Sequence, residues 1–235
     1  MHSHPKSRIL IPPDKGLATR LREFVAAPEF PCVGARAALA MDALEVSEFT
    51  TLGDRSNDGP LLDRLAAFGR RREKDTPGDS TVNSFAAAFA GPLDSNELRF
   101  EALLWSQLQR LHLLDARRGA AWAGDVSTDP NDPKFSLSLA GHPFFVIGLH
   151  PGASRLARCA PFPVLVFNSH RQFNQLRADG RYAKMQKATR ARDTALQGSI
   201  NPNLADFGTA AETRQYSGRA VEPHWRCPFH VRKPH

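Results

Sequence analysis

Cysteine is scarce in this chain, long apolar runs are missing, and no nucleotide-binding glycine fingerprint occurs. The 235 residues hold three cysteines, Cys32, Cys159 and Cys227. An odd, sparse set of this kind argues against a disulfide framework and for a reducing compartment, so the expected location is the cytoplasm. Without a Cys-x-x-Cys spacing, a zinc site built on these thiols is not expected either. No apolar stretch approaches the ~18 residues of a membrane span, and Met1 to Arg8 lacks the apolar segment of a secretory signal. The absence of Gly-x-Gly-x-x-Gly means that any reductase serving this protein is a separate partner.

What is present is a chain able to bury a sizeable core, with 41% apolar residues and a formal net charge of +7. The charge is scattered. Its densest run, Arg70-Arg71-Arg72-Glu73-Lys74-Asp75, is interrupted by acids and reads as a solvated loop, which makes nucleic acid an unexpected partner. A basic balance equally suits a pocket that holds an anionic cofactor.

Along the chain, residues 1–20 read as a flexible arm and 21–235 as one domain. Order is expected to begin with Leu17 to Phe24, and an alanine-rich helix is expected from Arg36 to Met41, with Cys32 near its start, where a thiolate is favoured. Pro60 to Phe68 reads as a short helix stopped by Gly69, and Ser84 to Phe89 as a strand broken by Gly91-Pro92. Asp94 with Glu97 suggests a capping box ahead of Phe100, Leu104, Leu108 and Leu111, which recur at helical spacing. Phe135, Leu137 and Leu139 alternate with Ser136 and Ser138, as in a strand with one buried face. After the Ala140-Gly141 turn come apolar strands at Phe144 to Leu149 and Pro163 to Phe167, then helices from Arg171 to Ala178 and from Tyr182 to about Leu196. The expected fold is α+β, a largely antiparallel core sheet packed by helices.

The last third carries short runs dense in His, Arg, Asn and Gly beside these strands, which reads as a site built on a scaffold. Phe30-Pro31-Cys32-Val33-Gly34-Ala35, Gly148-Leu149-His150-Pro151, Phe167-Asn168, Leu196-Gln197-Gly198-Ser199, Asp206-Phe207-Gly208, Arg214-Gln215-Tyr216-Ser217-Gly218-Arg219 and Cys227-Pro228-Phe229 together resemble the YqcI/YcgG family. Cys159 stands where that family commonly has arginine, which bears on the charge around the pocket. The resemblance implies a haem-dependent oxygenase that hydroxylates a guanidino nitrogen of arginine or an arginine-like small molecule. It implies haem b, and an external electron donor or peroxide.

Within that expectation His150, at the end of an apolar strand, is the candidate iron ligand, with His170 and Cys32 as alternatives. Arg155 and Arg158 are candidates for the propionates, and Glu212 and Asp206 for a carboxylate clamp on the guanidinium, with Asp193 behind them. Tyr216 is a candidate proton donor; Gln197, Asn201 and Arg214 are assigned to substrate. His112, His142 and His224 read as surface residues, Cys227 as structural, and a Cys32–Cys227 pairing stays open. A non-haem iron site on His150, His170 and a carboxylate, or a non-catalytic haem-binding protein, are the competing readings, and homo-oligomerisation is left open.

Overall fold

The apolar runs in the middle of the sequence become the centre of one sheet. The computed structural model describes residues 9, 12, 14–73, 81–201 and 209–232. Five strands, β1 (Leu44–Thr51), β2 (Ser84–Gly91), β3 (Leu137–Leu139), β4 (His142–Leu149) and β5 (Val164–Ser169), lie in the order β1-β2-β5-β4-β3. β1 runs parallel to β2, and every other pairing is antiparallel. Six α-helices complete a single α+β domain: α1 (Leu17–Ala26), α2 (Val33–Ala40), α3 (Asp58–Arg72), α4 (Glu97–Arg117), α5 (His170–Ala178) and α6 (Arg181–Gln197).

Side chains alternate across the sheet and both faces are covered, which is why β2 and β5 are mostly apolar, with buried Ser84 donating to Asn168 where the two strands pair. Phe85, Ala87 and Phe89 of β2, with Leu165 and Phe167 of β5, meet α3, α4 and the C-terminal residues Cys227 and Phe229. Ala86, Ala88 and Val164 point the other way, into a core with Leu21, Phe24 and Val25 of α1 and Ala38 of α2. α6 lies against α2, tied there by the Val33 amide donating to Thr189 Oγ1.

Several local expectations change. Residues 17–20, assigned to the arm, form the first turn of α1, and the Ala18 amide donates to Glu48. α3 does not stop at Gly69 but runs on to Arg72, because the hydrogen at Gly69 admits the close approach of His142: a Cβ there would lie 3.0 Å from His142 Cβ. The N-cap of α4 is Asn96, whose side chain accepts from the Arg99 amide, and not Asp94. β3 is buried on both faces, with Ser136 and Ser138 as inaccessible as their apolar neighbours. β1, which the sequence did not announce, is an edge strand whose inward residues shift from Leu44 to Phe49.

Between β3 and β4 the chain turns through Ala140 (φ 51°) and Gly141 (φ 72°), the two positive-φ residues of a tight hairpin. The Ala140 amide donates to Asp115 Oδ2 of α4, which clamps the turn to the helix.

Candidate functional site

The antiparallel pairing of β4 and β5 separates the expected site into two groups. Phe144 pairs with Ser169, so His170 lies beside the start of β4, whereas His150 follows its end. Six residues of extended chain from Phe144 to His150 span about 20 Å. A single iron held by both histidines is therefore excluded by the strand register, and the non-haem reading that needed the pair falls with it. Among the described residues no group of three His, Cys, Asp or Glu side chains is placed to hold a metal ion.

At the His150 end, β4 runs out into the Pro151-Gly152 turn. The His150 amide donates to the Arg158 carbonyl, and its carbonyl accepts from the Ala153 amide, which fixes the backbone on both sides. The ring is buried and stacked on Phe100 of α4, with centroids 4.2 Å apart and planes 14° from parallel. Burial pushes its pKa down, against smaller raising effects of Glu97 and the Ser95 backbone, so the imidazole is held neutral. Its Nδ1 is buried and has no hydrogen-bond partner among the described residues. Gly152 is required here, since a Cβ would come within 2.3 Å of the Ser95 carbonyl oxygen.

Four more expected residues converge on this end. Cys32 caps α2, its Sγ accepting from the Ala35 amide at 3.5 Å. Burial raises its thiol pKa more than the Ala35 and Gly34 amides and Arg158 lower it, so the expected thiolate gives way to a neutral thiol. Arg155 pairs with Asp193 of α6 and donates to Ser199 O at 2.9 Å and Ser199 Oγ at 3.2 Å. Arg158 donates to the carbonyls of Gly148 (2.9 Å), Gln215 (3.1 Å) and Tyr216 (3.4 Å). Burial pulls its guanidinium down to about 10, against Cys32 and Asp193. Gln197 accepts from the Leu156 amide and donates to Ser154 O, so it fastens the 154–156 loop to α6. Asp193 Oδ1, buried in the same group, meets no donor among the described residues. Asn201, half-buried, follows Ser199, and Asp206 lies outside the described residues.

At the other end lies a buried polar chain. Ser136 Oγ donates to Glu212 Oε1 at 2.6 Å, and Tyr216 OH donates to the same oxygen at 2.7 Å while also facing Phe144 O at 3.2 Å. Because the one Ser136 proton goes to Glu212, His170 Nδ1, 3.2 Å from Ser136 Oγ, is the donor there. Burial lifts the Glu212 carboxyl to about 7, against the Ser136 and Tyr216 hydroxyls. It lowers His170 to about 4. Glu212 is thus engaged by protein donors and removed from His150 by most of the length of β4, which corrects its placement as a clamp beside the iron ligand. Arg214 also sits at this end, donating to the carbonyls of Glu222 and Trp225 with its guanidinium 5.8 Å over the Trp225 ring.

The sequence reading overlooked Ser136, taken for the wet face of a strand, and two histidines taken for surface residues. His142 is buried, its Nε2 2.9 Å from Ser169 Oγ and its Nδ1 without a partner; burial lowers it to about 4. His112 is buried in α4 and accepts from the Arg232 amide. The register of β3 and β4 buries Ser136 and His142, which nothing local in the sequence marks, whereas His112 follows Leu108 by one turn on the apolar side of α4, a spacing that could have revealed it. Cys32 and Cys227 belong to cores on opposite faces of the sheet, and all three cysteines are free thiols, so the open pairing is closed.

Among the surface clefts of the described residues are one of about 900 Å³ beside the C-terminal end of α4 and one of about 270 Å³ lined by Thr213, Arg214 and Trp225; His150 lines neither. No helix among the described residues is long and apolar enough to cross a membrane. Neither a curated protein nor a solved structure matches the chain. A family model does match, from residue 21 to residue 230, and on that match the chain belongs to the YqcI/YcgG family.

Proposed function

We propose that the protein is a haem-dependent oxygenase that hydroxylates a guanidino nitrogen of arginine or an arginine-like small molecule, with His150 holding the haem iron. The observation that carries this reading is the His150 ring: buried, neutral, anchored by backbone bonds on both sides, and with an Nδ1 that has no partner. A neutral imidazole with a lone pair not engaged by protein suits an iron ligand. Cys32, kept as a neutral thiol, suits it less.

When bound, haem supplies the oxidising centre; an external electron donor or peroxide drives it. The chain's own contribution is positional. Arg158 acts on the His150 ring and Arg155, paired with Asp193, lies near Arg158, so two guanidinium groups stand at this end of β4 for an anionic group. Asp193 Oδ1 is the buried carboxylate oxygen without a donor in the same group, and it replaces Glu212 as the acceptor for a substrate guanidinium. Glu212, with Ser136 and Tyr216, holds a proton below about pH 7 at the far end of β4 and stiffens the sheet edge there.

A second reading is haem binding without turnover, which shares the His150 ligand and needs no substrate acceptor. The absorption spectrum of protein supplied with haem separates these readings. A Soret band that moves on adding arginine, together with a hydroxyguanidine product, supports the oxygenase; a band without product supports the carrier. His150→Ala is expected to lose the band. Reconstituted wild-type protein without a Soret band would falsify the haem assignment.

A further inference from the structure

The larger cleft lies at the C-terminal end of α4, away from His150. Phe100, stacked on His150, and Asp115, on the cleft floor, are 15 residues apart on this helix, a separation of about 22 Å. At about 900 Å³ the cleft is of the size that takes a small organic molecule.

Its charges are layered. On the floor, Asp115 is buried and only its Oδ2 meets a donor among the described residues, the Ala140 amide. Burial raises this carboxyl's pKa against the effects of that amide and of Arg118. The last carbonyls of α4 end beside it, adding the negative pole of the helix. Partly exposed Trp122, backed by the buried Phe229 ring 6.5 Å from it, forms an apolar wall that attracts cations. The rim is net cationic: Arg117 and Arg232 are exposed there beside one exposed acid, Asp129, and the two arginine side chains make no ion pair among the described residues. The amide of Arg232 donates to His112 Nε2, which fixes the C-terminal segment as the cleft wall.

We infer that this cleft is a binding site for a small zwitterion, a carboxylic acid with a cationic head on an apolar stem. The head lies against Asp115 beside Trp122, and the carboxylate meets Arg117 and Arg232. An anionic floor under a cationic rim selects against molecules that carry only one of the two charges. The inference does not depend on haem or on His150.

Isothermal titration of the full chain with 4-guanidinobutyrate tests it, with butylguanidinium (cation alone) and hexanoate (anion alone) as comparisons. Wild-type protein is expected to bind 4-guanidinobutyrate saturably at one site. Asp115→Asn should weaken binding by about thirtyfold or more, as expected for a buried charge pair losing one member. Arg117→Ala with Arg232→Ala should weaken 4-guanidinobutyrate by roughly tenfold, an exposed-pair effect, and leave butylguanidinium unchanged. Both arginines are exposed, so this double variant keeps the test valid if Asp115→Asn does not fold. His150→Ala should bind as the wild type does. The inference is overturned if wild-type protein shows no saturable binding, if binding survives the cleft substitutions, or if it is lost only in His150→Ala.

Discussion

Four buried imidazoles and two buried carboxyls set the pH response at the scale of single residues. His142 and His170 are each lowered from 6.5 to about 4 by burial, and His112 and His150 are lowered in the same direction. The unfolded imidazole takes its proton first, so the stability tied to these groups is present above about pH 6.5 and is lost as pH falls toward 4. Glu212, raised from 4.5 to about 7, works in the opposite sense, as does Asp115. The folded state holds that proton better, and its contribution is lost as pH rises from 4.5 through about 7. A shift of this size corresponds to about 3 kcal/mol per group at order of magnitude, so the imidazoles dominate the shared window. The thermal midpoint is expected to rise from pH 4.5 to about 6.5 and then decline slightly through 7. Glu212→Gln should steepen the rise and remove the decline. Melting curves at stepped pH check this; a flat profile in both proteins contradicts the buried neutral histidines. The sequence singles out His150, Glu212 and Tyr216 as candidates by the polar runs they stand in. Their division between two ends of β4 was not, because it depends on which residue of β5 pairs with Phe144.

At the scale of elements, helix periodicity carried the sequence reading well: Phe100, Leu104, Leu108 and Leu111 do face one core. It went astray where a neighbouring element intervenes. Gly69 reads as a helix stop, and alanine in a helix interior would ordinarily add about 1 kcal/mol. Here the new methyl would press on His142 Cβ at 3.0 Å. That atom is held by a strand inside the sheet, so Gly69→Ala is expected to lower the melting temperature; a rise of several degrees would show that β4 yields. Ala140 presents the reverse case. Its φ of 51° strains an L residue, and Ala140→Gly should relieve about 1–2 kcal/mol of that strain against the entropy glycine adds to the unfolded chain. A net gain of about 0.5 kcal/mol is expected, read as a higher denaturant midpoint with unchanged slope. β1 escaped notice because an edge strand whose inward face shifts along its length has no clean alternation to read.

The whole molecule is closed by its C-terminal segment, which returns across the helical face of the sheet. Arg219 pairs with buried Glu101 of α4 and with Glu222, while Phe229 is fully buried among Trp105, His112, Trp122 and Phe135. Phe229→Ala removes a complete aromatic contact set and is expected to destabilise the fold by about 3–5 kcal/mol, measured by chemical denaturation. A loss under 1 kcal/mol would mean that the segment docks without contributing to the core. The same variant strips one wall from the large cleft. By itself the sequence determined the α+β class, most helix positions, the three central strands and the polar runs that identify the family, because these follow from local periodicity and short motifs. Only the tertiary structure decided which of those residues meet. It separated His150 from His170 and Glu212, buried His112, His142 and Ser136, and placed Asp115 under a cationic rim. Strand register and the packing of distant segments are long-range contacts, and no local pattern in the chain encodes them.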